Sequence, residues 1–330
     1  MQAPKRHGPI RGLAPLRGER YFRIDASFSV MKVYLRALRA PFLAGSLVPV
    51  IIGSAYAFGQ KSFSFSLFLV TAMGVAALHL GANLLNDFYD AKGSDPINFR
   101  LTPFSGGSRV IQDGRISAWF VLGMSFLFFL AALAAGMWLV SQGRPLVAII
   151  GLLGLACGWA YSAPPLQLMS RGWGELVIFF AFGPLITFGT FYVMSGFLSW
   201  NAFALGFPQG FFITAVIWIN QFPDYEADRA AGKKNLVVRW GPRISRALYA
   251  LIMMLGFLSV LFLISIVGFS YLIMLAFMAF PLALKAVMIL WKEYLSHERL
   301  VPAQAVTIET LIAHGFLLAI GLILSRVTGI

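Results

Sequence analysis

The chain has 330 residues, 59% hydrophobic and only 12% charged, with 26 Lys and Arg against 13 Asp and Glu and a formal net charge of +13. A soluble domain carries roughly 25% charged residues, so this composition excludes a soluble enzyme, a disordered chain and a nucleic-acid-binding domain. What it leaves is a polytopic membrane protein. The single cysteine, Cys157, lies in an apolar stretch, so no internal disulfide can form.

Residues 1–27 are rich in Arg, Gly and Pro and read as a basic, disordered tail with no signal peptide. From 28 to 39, Phe28, Met31, Val33, Tyr34, Leu35 and Leu38 alternate with Lys32, Arg36 and Arg39, which predicts an interfacial helix. Nine apolar segments follow, at about 41–59, 66–88, 118–141, 146–162, 173–196, 203–222, 245–267, 269–290 and 305–325. Each is close to the roughly 20 residues that cross a bilayer. The expected architecture is therefore all-α, with about nine transmembrane helices around a central cavity that opens to the cytoplasmic face.

The basic residues divide unevenly between the two sides. Lys61, Arg144 and Arg326 fall on one side and the other 23 on the opposite side, which places the N-terminus and the polar loops in the cytoplasm. An odd number of spans puts the C-terminus outside. In a bacterium this would be a protein of the cytoplasmic membrane.

Acids are scarce, and six of the thirteen gather in two short stretches, 87–95 and 224–228. Asn83, Asn86, Asp87 and Asp90 are spaced 0, 3, 4 and 7 and share one helix face at the end of the second span. Asn220, Asp224 and Asp228 recur at helical intervals at the end of the sixth, where Pro223 is expected to kink or end the helix. Carboxylates and amides are oxygen donors of the kind Mg²⁺ prefers. Facing carboxylate clusters need cations between them. Arg109, Lys233, Lys234 and Arg239 follow the two motifs, and with a divalent metal they compose a diphosphate site at a membrane surface. Intramembrane acids are also typical of secondary transporters, although there they lie near the midplane rather than at helix ends.

The stretches NLLNDFYDAKGSD (83–95), YSAPPLQLMSRGWGEL (161–176) and DYEADRAAGKKNLVVRWG (224–241) resemble the UbiA superfamily of intramembrane aromatic prenyltransferases. LRALRAPFLAGSLVPVIIGSA (35–55) is similar to the start of that family's first helix. The likeness covers most of the chain from about residue 30, which makes 28–330 one transmembrane prenyltransferase domain. The first motif and GGSRVIQDGRIS (106–117) are most similar to the menaquinone branch, the 1,4-dihydroxy-2-naphthoate prenyltransferases. The second motif departs from that branch by placing Pro223 where a basic residue is usual.

The resemblance implies Mg²⁺-dependent transfer of a polyprenyl group from a polyprenyl diphosphate to an aromatic acceptor. It implies that Asp87, Asp90, Asp224 and Asp228 hold the diphosphate through two Mg²⁺ ions, with Asn83 and Asn220 as direct or water-mediated ligands. Tyr161 would shield the allylic cation or orient the acceptor ring. Asn86, Arg109, Lys233, Lys234 and Arg239 would complete substrate binding. 4-Hydroxybenzoate, homogentisate and a glycerol-phosphate ether lipid remain alternative acceptors to the dihydroxynaphthoate. Glu175 suits a helix start. His79, one turn before Asn83, has both a packing and a catalytic reading.

Overall fold

The computed structural model describes residues 30–329, so the tail expected at 1–27 lies outside the described residues. The interfacial helix is α1 (Val30–Leu38), tied to the loop after α3 by an Arg36–Asp113 ion pair of 3.3 Å. The membrane helices are α2 (Ala40–Gly59), α3 (Phe65–Asp90), α4 (Ala118–Ser141), α5 (Val147–Ser162), α6 (Gly174–Ser195), α7 (Trp200–Ala230), α8 (Leu236–Val267), α9 (Tyr271–Glu293) and α10 (His297–Thr328). Among the described residues there is no strand, and eight of these helices are long and apolar enough to cross a membrane. The ninth, α5, has only 16 residues.

Local chemistry sets several helix ends. The Ser117 hydroxyl accepts from Phe120 N–H at 3.2 Å and starts α4, and Asn235 accepts from Val238 N–H at 2.9 Å to start α8. Gly268, at φ +89°, separates α8 from α9 where the two apolar runs nearly merge in sequence. Pro223 does not end its helix as expected: α7 runs on to Ala230. Proline costs the helix one donor but suits the helical φ. Ile219, Asn220, Phe222 and Pro223 are all buried, so packing on every side outweighs the lost bond. Asp224 and Asp228 consequently stay one turn apart on a single continuous helix. The spans expected at 203–222 and 305–325 are also longer, running over Trp200–Ala230 and His297–Thr328.

α7 is the axis of the bundle. Its most apolar stretch is 72% buried, against 11% for α4, which shows Phe126, Leu127, Leu130 and Met137 to the surroundings. α2, α6, α8 and α10 surround α7, while α3, α4 and α5 form a thinner wall on the other side of a cavity. Lipid tails are as apolar as leucine, so close packing rather than water exclusion holds such helices together. Gly183 on α6 shows how close: a Cβ there would lie 2.5 Å from the Gly206 carbonyl oxygen and the Gly210 nitrogen of α7. Both contacts are backbone and cannot swing aside. Gly183→Val is expected to cost about 2 kcal/mol or more through overpacking, read as a lowered Tm of the purified protein in detergent.

Candidate active site

One cavity of about 580 Å³ lies between α2, α3, α4, α5, α6 and α7. Its deep part is apolar, lined by residues such as Val75, Leu78, Leu155, Val177 and Ile217. Its other end is polar, where the last turns of α3 and α7 come together beneath the loop 91–117.

From α3, Asn83, Asn86 and Asp90 line this end. Asn86 donates to Asp90 Oδ2 at 3.1 Å and to Ser162 Oγ at 3.3 Å, which links the first motif to the last residue of α5. Asp87 turns toward the loop and accepts from Ser108 N–H at 3.3 Å, and its Oδ2 is buried with no partner. From α7, Asn220, Asp224 and Asp228 line the cavity. Asp224 accepts from Asn98 Nδ2 at 2.7 Å and from Gly106 N–H at 3.3 Å. Asp228 accepts from Asn235 Nδ2 at 2.8 Å, so the residue that caps α8 also holds the second motif. Asn220 accepts from Gln304 Nε2 of α10 at 2.9 Å.

Lys233 stands between the two motifs, with Nζ 2.9 Å from Asp90 Oδ1 and 3.2 Å from Asp228 Oδ1. Burial opposes its charge, yet Asp90 and Asp228 together outweigh burial and keep the ammonium protonated well above the ordinary lysine range. Tyr161 lines the cavity at the end of α5. The remaining basic candidates lie outside the cavity wall. Arg109, at φ +65°, donates to the Asp95 carbonyl and shapes the loop. Lys234 is exposed, and its N–H donates to the Ser170 carbonyl at 2.8 Å. Arg239 donates to the Lys234 carbonyl at 2.8 Å and braces the same turn. Glu175 accepts from Gln221 Nε2 at 2.9 Å and from Leu236 N–H at 3.1 Å, which joins the starts of α6 and α8 to α7.

Sequence reasoning missed Arg39, Asn98, Asn235 and Gln304 as site residues, and placed Asp95 in the first motif without giving it a role. Arg39 reads as one more cation of the interfacial helix, yet its side chain lines the cavity. Asn98 and Gln304 carry no local signal, because their contacts with Asp224 and Asn220 span 126 and 84 residues.

The sequence profile of the UbiA prenyltransferase family matches residues 46–311, a stretch that holds both aspartate motifs and every helix of the cavity wall. This chain belongs to that family. It is an enzyme that transfers prenyl groups. Its curated relatives include a 2-carboxy-1,4-naphthoquinone phytyltransferase from Synechocystis, 29% identical over 64% of this chain and 67% of that one. A 1,4-dihydroxy-2-naphthoate octaprenyltransferase from Bacillus subtilis is 24% identical over 90% of this chain and 94% of that one. The fold is shared with a solved UbiA homolog from Archaeoglobus fulgidus bound to GPP and Mg²⁺, at TM-score 0.59, 19% identity and coverage of 87% and 99%.

The donors suit Mg²⁺ in kind: carboxylate and amide oxygens, one of them, Asp87 Oδ2, buried without a partner. Among the described residues, no three His, Cys, Asp or Glu side chains are grouped as a metal centre, and Lys233 supplies the positive charge between Asp90 and Asp228. Asp95 adds a further acid nearby. Burial, with Asp90 and Asp87 adding to it, raises its pKa from 3.8 to about 7 against the opposing pull of Lys233 and Arg39. The folded protein thus keeps a proton that the unfolded chain releases between those two values, and stability falls as pH rises through that window. Asp95→Asn should flatten the fall, measured as Tm against pH over about pH 4–8 in metal-free buffer.

Proposed function

We propose that this enzyme transfers a polyprenyl group from a polyprenyl diphosphate to 1,4-dihydroxy-2-naphthoate in menaquinone biosynthesis, from the cytoplasmic side of the membrane. The observation that carries the proposal is the two-part cavity, in which a cluster of aspartates opens directly into an apolar chamber. A diphosphate and its polyprenyl tail need those two environments side by side. The naphthoate acceptor is supported by the two relatives that act on naphthoquinone precursors, one of them matched over 90% of this chain.

Asp87, Asp90, Asp224 and Asp228 would hold Mg²⁺, with Asn83 and Asn220 beside them. Bound there, the metal would neutralise the charge that grows on the diphosphate as the allylic C–O bond breaks. Two ions suit four carboxylates that draw on two separate motifs. Lys233 carries an ammonium into the same space and can follow the diphosphate as its negative charge develops. Tyr161 presents a ring on the cavity wall where the allylic cation would form. The apolar lining from α3 to α6 holds the prenyl chain and excludes water that would otherwise capture the cation.

Asp87→Asn and Asp224→Asn should each lower Mg²⁺-dependent release of labelled diphosphate in membranes by about 10²-fold or more. Undiminished release in either variant would overturn the assignment. The basic bias supports the orientation. In a Cys157→Ala background, a cysteine at the exposed Arg115 should resist an impermeant thiol reagent applied outside, while one at the exposed Gln142 reacts readily.

A further inference from the structure

We infer that His79 is the group that receives the hydroxyl of the aromatic acceptor, and that it does so through Nε2 held as an unprotonated acceptor by Ser46. This rests on the aromatic-acceptor reading above and assigns the stretch of cavity one helical turn deeper than Asn83. His79 is on α3, buried to 6% exposure, and lines the cavity. Its ring meets Phe182 edge-on at 4.8 Å, which fixes the plane of the imidazole.

The tautomer follows from counting protons. Ser46 Oγ lies 2.9 Å from His79 Nδ1 and 3.0 Å from the Leu43 carbonyl oxygen. We assign the single hydroxyl proton to the Leu43 carbonyl, which can only accept. Nδ1 must then donate its proton to Ser46 Oγ. This leaves Nε2 with a lone pair, and no described residue hydrogen-bonds to it.

The surroundings suit a flat hydroxy acid. Phe42 and Phe104 both line the cavity, 6.5 Å apart and nearly perpendicular. Arg39 sits over the Phe42 ring at 4.8 Å, and its guanidinium donates to the Phe104 carbonyl at 3.4 Å. To reach that position its backbone adopts φ 50°, ψ 44°, a left-handed conformation that arginine rarely takes. Arg39, just before α2, and Ser46 on it are seven residues apart, roughly 10 Å by helical rise. A two-ring acid can therefore span the distance from a cation near the polar end to a hydrogen-bond acceptor deeper in.

The step balances as follows. The acceptor hydroxyl gives its proton to His79 Nε2, and the oxygen lone pair raises electron density at the neighbouring ring carbon. That carbon forms a bond to the prenyl C1 as the C1–O bond to diphosphate breaks with its electron pair. The dienone then loses the ring proton to diphosphate while His79 returns its proton to the oxygen. Where the carbon bears a carboxylate, carbon dioxide leaves instead, and the phenolate recovers its proton from His79.

The test uses the full-length enzyme in membranes with Mg²⁺, a labelled polyprenyl diphosphate, and either a hydroxynaphthoate or its O-methyl ether at that hydroxyl. General-base assistance contributes about 10²–10⁴-fold. His79→Phe should lower kcat for the hydroxy acid by about 10²-fold, leave the donor KM within about twofold, and leave the poor rate with the methyl ether unchanged. His79→Gln, which keeps a hydrogen-bond acceptor without a transferable site, should recover acceptor KM but not kcat. Ser46→Ala should retain folding and lose several-fold in kcat on the hydroxy acid alone. Equal losses on both acceptors in His79→Phe and His79→Gln, or undiminished kcat in either, would overturn the assignment. Failure of the wild-type enzyme to prenylate any aromatic acceptor would instead overturn the reading beneath it.

Discussion

Aspartates gathered at one end of an apolar bundle repel one another and lose their hydration together, and every other feature of this site answers that cost. Asp87, Asp95 and Asp228 are each at most 6% exposed. Charge in such a place persists only when paired and hydrogen-bonded. Lys233 supplies the pairing between the two motifs. Backbone N–H groups of Gly106 and Ser108, and the amides of Asn98 and Asn235, supply the hydrogen bonds. The loop 91–117 is thus part of the charge balance as well as a lid. Its two consecutive glycines at positive φ, Gly106 and Gly107, let the backbone come close enough to do this; a Cβ on Gly107 would fall 2.2 Å from Asp95 Oδ2.

The same cavity joins that polar end to an apolar chamber, and this juxtaposition separates a transferase from a hydrolase. In the mechanism proposed above an allylic cation would react with whatever nucleophile is nearest, so excluding water would be the protein's main task after ionisation. The chamber wall is mostly Leu, Val, Ile, Gly and Ala, with Thr71, Thr190, Cys157 and Met137 among them. The single Cys157, half-buried in α5, lines the same cavity, and the proposed reaction gives it no role.

Much of this was legible in the chain itself. Aspartates at helical spacing beside apolar spans are expensive to keep, so their pattern carries information that a soluble protein's acids would not. The spans were legible because composition and length suffice to define them. Other features depended on contacts between distant segments. Asn235 looked like part of a basic loop, and only the fold reveals that it caps α8 with its oxygen while its amide holds Asp228. Arg39 was counted with the interfacial cations because its inward turn comes from one left-handed residue. Pro223 was expected to kink or end its helix, and the helix runs on to Ala230, since propensity describes an isolated helix and α7 is enclosed by its neighbours.

α5 leaves its mark on the membrane as well as on the protein. At 16 residues it reaches about 24 Å, some way short of a hydrocarbon layer of roughly 30 Å. Hydrophobic mismatch of this kind is relieved by thinning the adjacent bilayer or by letting flanking side chains reach the interface. Arg144, just before α5, is held inward by donating to the Val193 carbonyl at 2.6 Å, so it is anchored rather than free to reach outward. With Arg144 anchored, local thinning of the lipid beside this wall is the expected response, a shallow dip in the membrane surface at α5.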